Sequence, residues 1–350
     1  MRLGYFSGYW SSGPPAGALD AVLEAERLGF DSVWTAESYG SDALTPLAWW
    51  GAHTSTVRLG TAIAQMAART PTATAMAALT LDHLSGGRFT LGLGASGPQV
   101  VEGWYGQPYP RPLARTREYV AIVRDVLARE APVTYDGDFY TLPLRGGSGL
   151  GKALRSTVHP RRADLPIHLA AEGPKNIALA AEIADGWLPL FYSPRMDDSY
   201  RQLLADGFAR RGTVAGTRSP RPVEEFEVSA IVPVVVHDDV ERAADAVRPF
   251  IALYAGGMGA KGANFHRDVL VRLGYEDVCD EVQALYLAGR RAEATAAVPL
   301  ELVEDVALVG PPAKIRAELA AWERTAVTTI MVQGDARSLA VVADALGSSS

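Results

Sequence analysis

Cysteine is almost missing from this sequence, and its histidines are widely scattered. Cys279 is the only cysteine, which excludes an intrachain disulfide and a cysteine-based metal cluster. The six histidines show none of the short spacings that hold a metal ion, so we expect no metal site. A chain of this kind suits a reducing compartment, and we expect it in the cytoplasm.

Long apolar runs and excess positive charge are missing as well. No uninterrupted apolar stretch reaches the roughly 18 residues that cross a membrane, and the amino terminus enters a strand-like run at once. We therefore expect neither a membrane span nor a signal peptide. The formal net charge is -7, so neither nucleic acid nor an anionic membrane is an expected partner. The esterase motif G-x-S-x-G does not occur, which removes that class of hydrolase.

What the sequence does contain is a regular alternation of short apolar runs and longer amphipathic ones. Strands are predicted at 2–7, 31–35, 58–65, 88–95, 166–172, 186–191, 226–236 and 328–333. Helices are predicted at 17–29, 45–55, 71–85, 113–129, 174–184, from 239 to about 289, and at 336–346. Strands separated by helices pair in parallel, because each crossover needs a helix on one face. This α/β pattern favours a closed (β/α)8 TIM barrel with insertions, and a doubly wound open sheet is the alternative.

Two segments are longer than a barrel requires. We expect one domain over 1–346, with a Gly-rich, basic insertion loop at 131–165 lying over the active site. A second insertion, at 255–325, is predicted to hold extra helices before the last strand. Residues 347–350 are predicted to be a disordered tail.

Small residues gather where the middle strands end. Four successive predicted strands, the second to the fifth, end in TAESYGSD, AIAQMA, GLGASGPQ and LAAEGPKN. Ligands of a parallel barrel bind at these carboxyl ends, and small residues let a flat molecule approach the backbone. The pattern favours a planar cofactor lying across the barrel opening. Small residues that fit a tapering barrel are the alternative reading of any single strand end.

The segment AAEGPKN is the sharpest of these strand ends. Ala170, Ala171, Glu172 and Gly173 leave a strand, and the helix that follows offers free backbone N–H groups to an anion, with Lys175 beside it. An ordinary strand-to-helix turn is the alternative. GLGASG matches a nucleotide-binding glycine pattern only weakly, because it comes fourth and no helix follows it at once.

Three polar residues are candidates for chemistry at the opening. Glu37 ends the second strand, with a surface carboxylate as its alternative role. Tyr39 follows it, as a wall of a pocket or a core residue. His168 shares a strand face with Ala170 by the period of two and can point into the barrel, although a buried structural histidine is the alternative.

The segment 28–106, together with PIHLAAEGPKNIALAAEIADGWLP and LVGPPAKIRAELAAW, resembles the luciferase-like flavin or deazaflavin oxidoreductases. It is most similar to the branch that uses coenzyme F420, akin to methylene-tetrahydromethanopterin reductase. The resemblance implies a bacterial luciferase-like barrel whose third strand carries a bulge with a non-prolyl cis peptide, here Ala62–Ile63, behind the deazaflavin ring. It implies a phosphate site on Ala171, Glu172 and Gly173. The residues implied around the ring and its side chain are Glu37, Ala62, Ile63, Gln65, Ala95 and Ser96.

The resemblance also implies an activity. Hydride would pass between C5 of F420 and an activated C=C, a C=N or a carbonyl of a small-molecule substrate, in a homodimer. An FMNH2-dependent monooxygenase, with FMN as cofactor, and a non-catalytic cofactor carrier are the alternatives. Sugar-phosphate dehydrogenases of the superfamily carry an Asp-His pair and a Glu where this chain has Glu37-Ser38 and Gly97. Sugar phosphate oxidation is therefore in doubt, and Glu37, Tyr39 and His168 are the replacement candidates for a proton relay.

Overall fold

Parallel strands close into a barrel in this protein, whose computed structural model describes residues 1–212, 218, 220–259 and 264–347. The strands are β1 (Arg2–Phe6), β2 (Ser32–Thr35), β3 (Arg58–Thr61), β4 (Ala64–Gln65), β5 (Phe89–Gly94), β6 (Tyr135–Asp136), β7 (Thr141–Leu142), β8 (Ile167–Ala170), β9 (Gly186–Leu188), β10 (Glu227–Val236), β11 (Leu308–Gly310) and β12 (Thr329–Gln333). The barrel runs in the order β10, β12, β1, β2, β3, β5, β8, β9, and β9 pairs with β10 to close it. The predicted TIM barrel is confirmed, and the open sheet is wrong because no free edge separates β9 from β10.

Helices follow the barrel strands and cover the outside of the sheet. They are α1 (Ala18–Arg27), α2 (Leu44–His53), α3 (Pro71–Leu84), α4 (Pro98–Val101), α5 (Pro112–Ala128), α6 (Pro174–Ile183), α7 (Asp197–Phe208), α8 (Val240–Ala252), α9 (Phe265–Arg272), α10 (Glu276–Leu287), α11 (Arg291–Ala296), α12 (Leu300–Val306), α13 (Pro312–Trp322) and α14 (Ala336–Gly347). Local sequence sets several starts: α3 has Pro71 in its first turn, and the Thr70 hydroxyl accepts a hydrogen bond from the Ala73 N–H.

The barrel interior has two different ends. At the amino-terminal ends of the strands, Arg58 forms ion pairs with Asp31 and Glu227, and Arg2 also pairs with Glu227. Trp34 fills the middle so closely that a Cβ on Gly60 would lie 2.2 Å from its ring. We call the opposite end of the barrel, where the strands end, the mouth. An apolar cluster that includes Trp34 lies just beneath it and consists of Phe6, Trp34, Ala36, Ala62, Leu188 and Met331. The interior is therefore closed below, and any ligand must enter through the mouth.

The two insertions differ in position. In the segment 131–165, the β6–β7 hairpin lies along α5, where Glu118 accepts hydrogen bonds from the Asp138 and Phe139 N–H groups. Further on, Arg162 forms an ion pair with Asp82 of α3. These contacts follow the outside of the barrel, and coverage of the active site by the loop stays a prediction.

The segment 255–325 holds α9 to α13 and, unexpectedly, the short strand β11, which pairs with β10. Helices α9 to α12 pack with α8 in a second apolar cluster, which buries Cys279. Of the predicted disordered tail, Gly347 is the last residue of α14, and 348–350 lie outside the described residues.

Candidate active site at the barrel mouth

The third barrel strand is interrupted by a bulge at the mouth. β3 pairs Leu59 with Phe89, but after the interruption β4 pairs Ala64 with Leu93, so this side carries one residue more than β5. The peptide bond between Ala62 and Ile63 is cis, as predicted. The extra residue bends the backbone of this strand away from the regular path of a barrel strand.

Thr61 joins the bulged strand to its neighbour. Its hydroxyl donates to the Gly92 carbonyl oxygen at 2.7 Å and accepts from the Gly92 N–H at 2.8 Å. A Cβ on Gly92 would lie 1.8 Å from the Thr61 carbonyl oxygen, and one on Gly94 would lie 2.7 Å from Ile63. Glycine is required at both positions because the bulge takes the space of a side chain. Ile63 itself is only partly buried and faces the mouth end of the apolar cluster.

Glu37 holds the far side of the bulge. Its carboxylate accepts from the Gln65 N–H at 2.7 Å and forms a two-pronged ion pair with Arg69, both bonds 2.8 Å long. The Glu37 N–H donates to the Ile63 carbonyl oxygen at 3.0 Å. Both carboxylate oxygens are engaged, so this geometry favours fixing the bulge over delivering a proton.

Gln65 and the end of β5 complete this wall. The Gln65 amide NH2 donates to the Glu37 and Ser38 carbonyl oxygens, while its Oε1 is buried without a partner among the described residues. Ala95 and Ser96 follow β5 directly, and Ser96 has a φ of 59°. Small side chains and a left-handed turn keep the backbone open at this position.

Beside β5, the chain passes from β8 into α6 through residues 170–173. Gly173 is the N-cap of α6 without a side-chain cap, and a Cβ there would meet nothing within 4 Å. The Glu172 carbonyl oxygen accepts from Arg272 at 2.6 Å, and the Glu172 carboxylate lies 2.7 Å from His266 Nδ1. The start of α6 is therefore open, and α9 is fastened to the turn before it.

A pair of tyrosines that was not predicted from the sequence also lies here. Tyr254 is 2% exposed, and its hydroxyl donates to the Tyr9 hydroxyl at 3.0 Å. The Tyr254 ring meets the His266 ring edge-on, with centroids 4.8 Å apart. Tyr39, which was predicted, is 57% exposed and close enough to raise the pKa of both tyrosines slightly. No motif marks the pair, because Tyr9 and Tyr254 are far apart in sequence.

His168 is in the interior but away from the mouth. It is 1% exposed, pairs with Gly186 in the sheet, and has Nε2 4.0 Å from the Glu227 carboxylate at the closed end. Burial lowers its pKa to about 4, although the Glu227 charge acts in the opposite direction. A neutral, enclosed ring beside the lower ion pairs favours the alternative considered from sequence, a structural histidine.

A model of the luciferase-like monooxygenase family matches residues 1–329. The chain belongs to this family. Among its luciferase-like relatives is a protein of Mycobacterium tuberculosis named as a coenzyme F420-dependent oxidoreductase, 58% identical over 95% of this chain and 94% of its own length. A 5,10-methylenetetrahydromethanopterin reductase of Methanolobus tindarius is 31% identical over 67% of this chain and 65% of its own.

Solved structures agree with this luciferase-like barrel. The coenzyme F420-dependent tetrahydromethanopterin reductase of Methanopyrus kandleri superimposes with a TM-score of 0.80 at 21% identity, covering 98% of this chain and 97% of that one. An F420-dependent secondary alcohol dehydrogenase gives 0.76 at 17% identity, covering 99% and 98%. These likenesses concern the fold.

Metal ligands and membrane-spanning helices were sought in the described part of this luciferase-like chain. Within 1–212, 218, 220–259 and 264–347, no three His, Cys, Asp or Glu side chains come together as metal ligands. None of the helices in the same described ranges is both long and apolar enough to span a membrane.

Proposed function

We propose that this protein is an F420-dependent oxidoreductase that transfers a hydride between the deazaflavin C5 and an organic substrate. The bulge at Ala62–Ile63 is the main observation behind the proposal. It brings the backbone of the third barrel strand out at the mouth, above a small apolar cluster, where a flat ring could lie against it. The name of the 58% identical relative supports F420 as the cofactor. The substrate would carry an activated C=C, a C=N or a carbonyl.

The residues of the mouth fit such a cofactor. Ala62, Ile63, Ala95 and Ser96 would support a flat ring, and the buried Gln65 Oε1 offers an acceptor to a ring N–H. Glu37 would bind indirectly, by holding Gln65 in place. Residues 170–173 would receive the phosphate, because the open start of α6 supplies backbone N–H groups and a favourable helix dipole.

When bound, F420 supplies hydride chemistry, and the protein supplies position and electrostatics. The apolar cluster beneath the mouth excludes water from the rear of the ring. In this proposal the enzyme is a cytoplasmic homodimer that acts on a small molecule.

An FMNH2-dependent monooxygenase is the second candidate, because the description of the matching family model names a monooxygenase. Titrations separate the two. Quenching of F420 fluorescence at micromolar protein, with no FMN affinity, supports the proposal. FMN retained through purification, with oxygen consumption, would refute it.

The phosphate site has its own test in Gly173→Glu. The position has an ordinary φ of -80° and open space around it, so we expect the barrel to fold. A carboxylate beside the phosphate repels it, and we expect the dissociation constant of F420 to rise at least tenfold. Gly173→Ala, which adds a Cβ without charge, is the matched control and should bind as the wild type does. Equal affinity of all three proteins would contradict the phosphate assignment.

A further inference from the structure

We infer that the Tyr9 hydroxyl exchanges a proton with an oxygen atom of the substrate, and that Tyr254 is the positioning residue that holds it. The substrate class is then a carbonyl compound, such as a ketone or an enone, or the corresponding alcohol. This inference rests on the proposed hydride transfer, which leaves the source of the accompanying proton open. Of the three acceptor groups named there, the inference keeps the carbonyl and the C=C conjugated to a carbonyl, and it drops the C=N.

Tyr9 is brought to the mouth by the turn that follows β1. Gly8 has a φ of +73°, a conformation that bends the chain at the end of the strand. Tyr9 is 43% exposed as a whole residue, and its hydroxyl is the enclosed part, since burial raises its pKa. Its hydroxyl oxygen accepts the Tyr254 hydrogen bond, and no contact in the described part of the chain uses its own proton. That proton is free for a substrate oxygen.

Tyr254 is fixed by an unusual stretch of backbone. It lies in a π-helical turn at Leu253–Gly257, directly after α8, and such turns are frequent at functional sites. The buried Asn264 side chain donates to the Tyr254 and Ala255 carbonyl oxygens, at 2.8 and 3.1 Å. Its Oδ1 also accepts from the His266 N–H at the start of α9. One amide thereby ties the π turn to α9 and fixes the Tyr254 ring.

Two carboxylates near the mouth already have partners. Glu172 Oε1 lies 2.7 Å from His266 Nδ1, and Glu37 is held by Arg69 and Gln65. His168 lies at the closed end of the barrel. The Tyr9 hydroxyl combines an orienting hydrogen bond from Tyr254 with an available proton.

Electrostatics suit a proton donor at neutral pH. Burial raises the pKa of Tyr9, the hydrogen bond from Tyr254 lowers it, and the charge of Glu172 and the nearby Tyr39 raise it again, with a net upward direction. Tyr9 is therefore a protonated phenol at neutral pH. When the phenol loses its proton, the Tyr254 hydrogen bond stabilises the oxygen anion that forms.

In the reducing direction, the hydride would come from C5 of reduced F420, whose C–H bond would break as the new C–H bond forms at the carbonyl carbon, or at the β-carbon of an enone. The C=O π electrons move to the oxygen, the Tyr9 O–H bond breaks, and its proton forms the new O–H bond. Water that enters the mouth after the product has left would then return a proton to Tyr9. Oxidation of the alcohol follows the same steps in reverse, with Tyr9 as the base.

The experiment separates the inference from the proposed function. F420 binding is measured first, by fluorescence quenching, in the wild type and in Tyr9→Phe, Tyr254→Phe and Tyr135→Phe. Tyr135, on the outer hairpin, is the matched control for loss of a phenolic oxygen. The probe is 2-cyclohexen-1-one labelled with ¹³C at its carbonyl, added with oxidised F420 so that no reduction occurs. A hydrogen bond to the carbonyl oxygen moves its resonance downfield.

We expect the downfield shift in the wild type and in Tyr135→Phe, its loss in Tyr9→Phe, and a smaller shift in Tyr254→Phe. With reduced F420, Tyr9→Phe should lower kcat by about a hundredfold or more with little change in KM. Tyr254→Phe should lower it about tenfold. In the free protein, Tyr254→Phe should also raise the pH at which the Tyr9 ¹³Cζ resonance titrates, since the hydrogen bond to the anion is lost.

Each negative result has a distinct meaning. Failure of the wild type to quench F420 contradicts the proposed function. Normal F420 binding with an enone resonance that does not move, or that moves equally in Tyr9→Phe, overturns the inference and leaves the proposed function standing. If Tyr254→Phe does not fold, the comparison of the enone resonance in the wild type and in Tyr9→Phe is enough to test the inference.

Discussion

Thr61 provides the sharpest test of how the bulge is held. Thr61→Val keeps the shape of the side chain but removes both hydrogen bonds to Gly92, at 2.7 and 2.8 Å. Thr61 is fully buried, so the Gly92 N–H and C=O are left without water to replace the hydroxyl. Each buried unsatisfied group costs about 1–3 kcal/mol, and we expect a loss of about 2–5 kcal/mol in the free energy of unfolding. That is a large share of the stability of a typical domain, about 5–15 kcal/mol.

Urea unfolding followed by tryptophan fluorescence measures this loss, and Thr329→Val is the matched control. Thr329 is also fully buried in a barrel strand, but its hydroxyl has no partner among the described residues. Removing it should change stability by less than about 1 kcal/mol. F420 should also bind Thr61→Val more weakly, because Ile63 follows the bulge. Equal stabilities of the two variants would show that Thr61 does not hold the bulge.

Glu37 and His168 give two further predictions, one about a lost ion pair and one about the pH dependence of stability. Glu37→Gln removes the carboxylate that pairs with Arg69 at 2.8 Å and leaves Asp42 at 3.9 Å, so we expect about 3 kcal/mol of destabilisation in urea and weaker F420 binding. The exposed pair of Glu24 and Arg27 is the control, and Glu24→Gln should leave stability unchanged. For His168, a folded pKa of about 4 lies below the ordinary 6.5, so the unfolded chain takes up the proton first as the pH falls. Stability should then drop by about 3 kcal/mol between pH 6.5 and 4, and His168→Gln should show a flatter profile over that range in parallel unfolding curves.

The barrel could be predicted because its strands are short, apolar and separated by amphipathic helices. Strand β10 and helix α3, for example, lie within a residue or two of their predicted bounds. Helix α7 was missed, because its sequence DDSYRQLLADGF is largely polar. The three-residue strand β11 was also missed, since so short a run has no period of its own.

In the candidate site, too, some features could be predicted from the sequence and others could not. The bulge was predicted because the family resemblance implied it. The open start of α6 was predicted because it lies within one continuous stretch of chain. Contacts between distant segments were not: nothing in the sequence joins Glu37 to Arg69, or Tyr9 to Tyr254. Period-two alternation placed His168 on the inner face of β8, but it carries no information about depth along the barrel axis.

Depth along that axis is what separates the two groups of polar residues in this barrel. Arg2, Arg58 and Glu227 stand at the starts of their strands, and their mutual ion pairs close the lower end. Tyr9, the group assigned to proton transfer, follows the end of β1. There the chain leaves the sheet, and a single turn such as the one at Gly8 changes its direction. Because a packed layer around Trp34 lies between the two ends, substitutions below it should alter stability and those above it should alter binding. Thr61, which lies where β3 becomes the bulge, is the position at which one substitution should alter both.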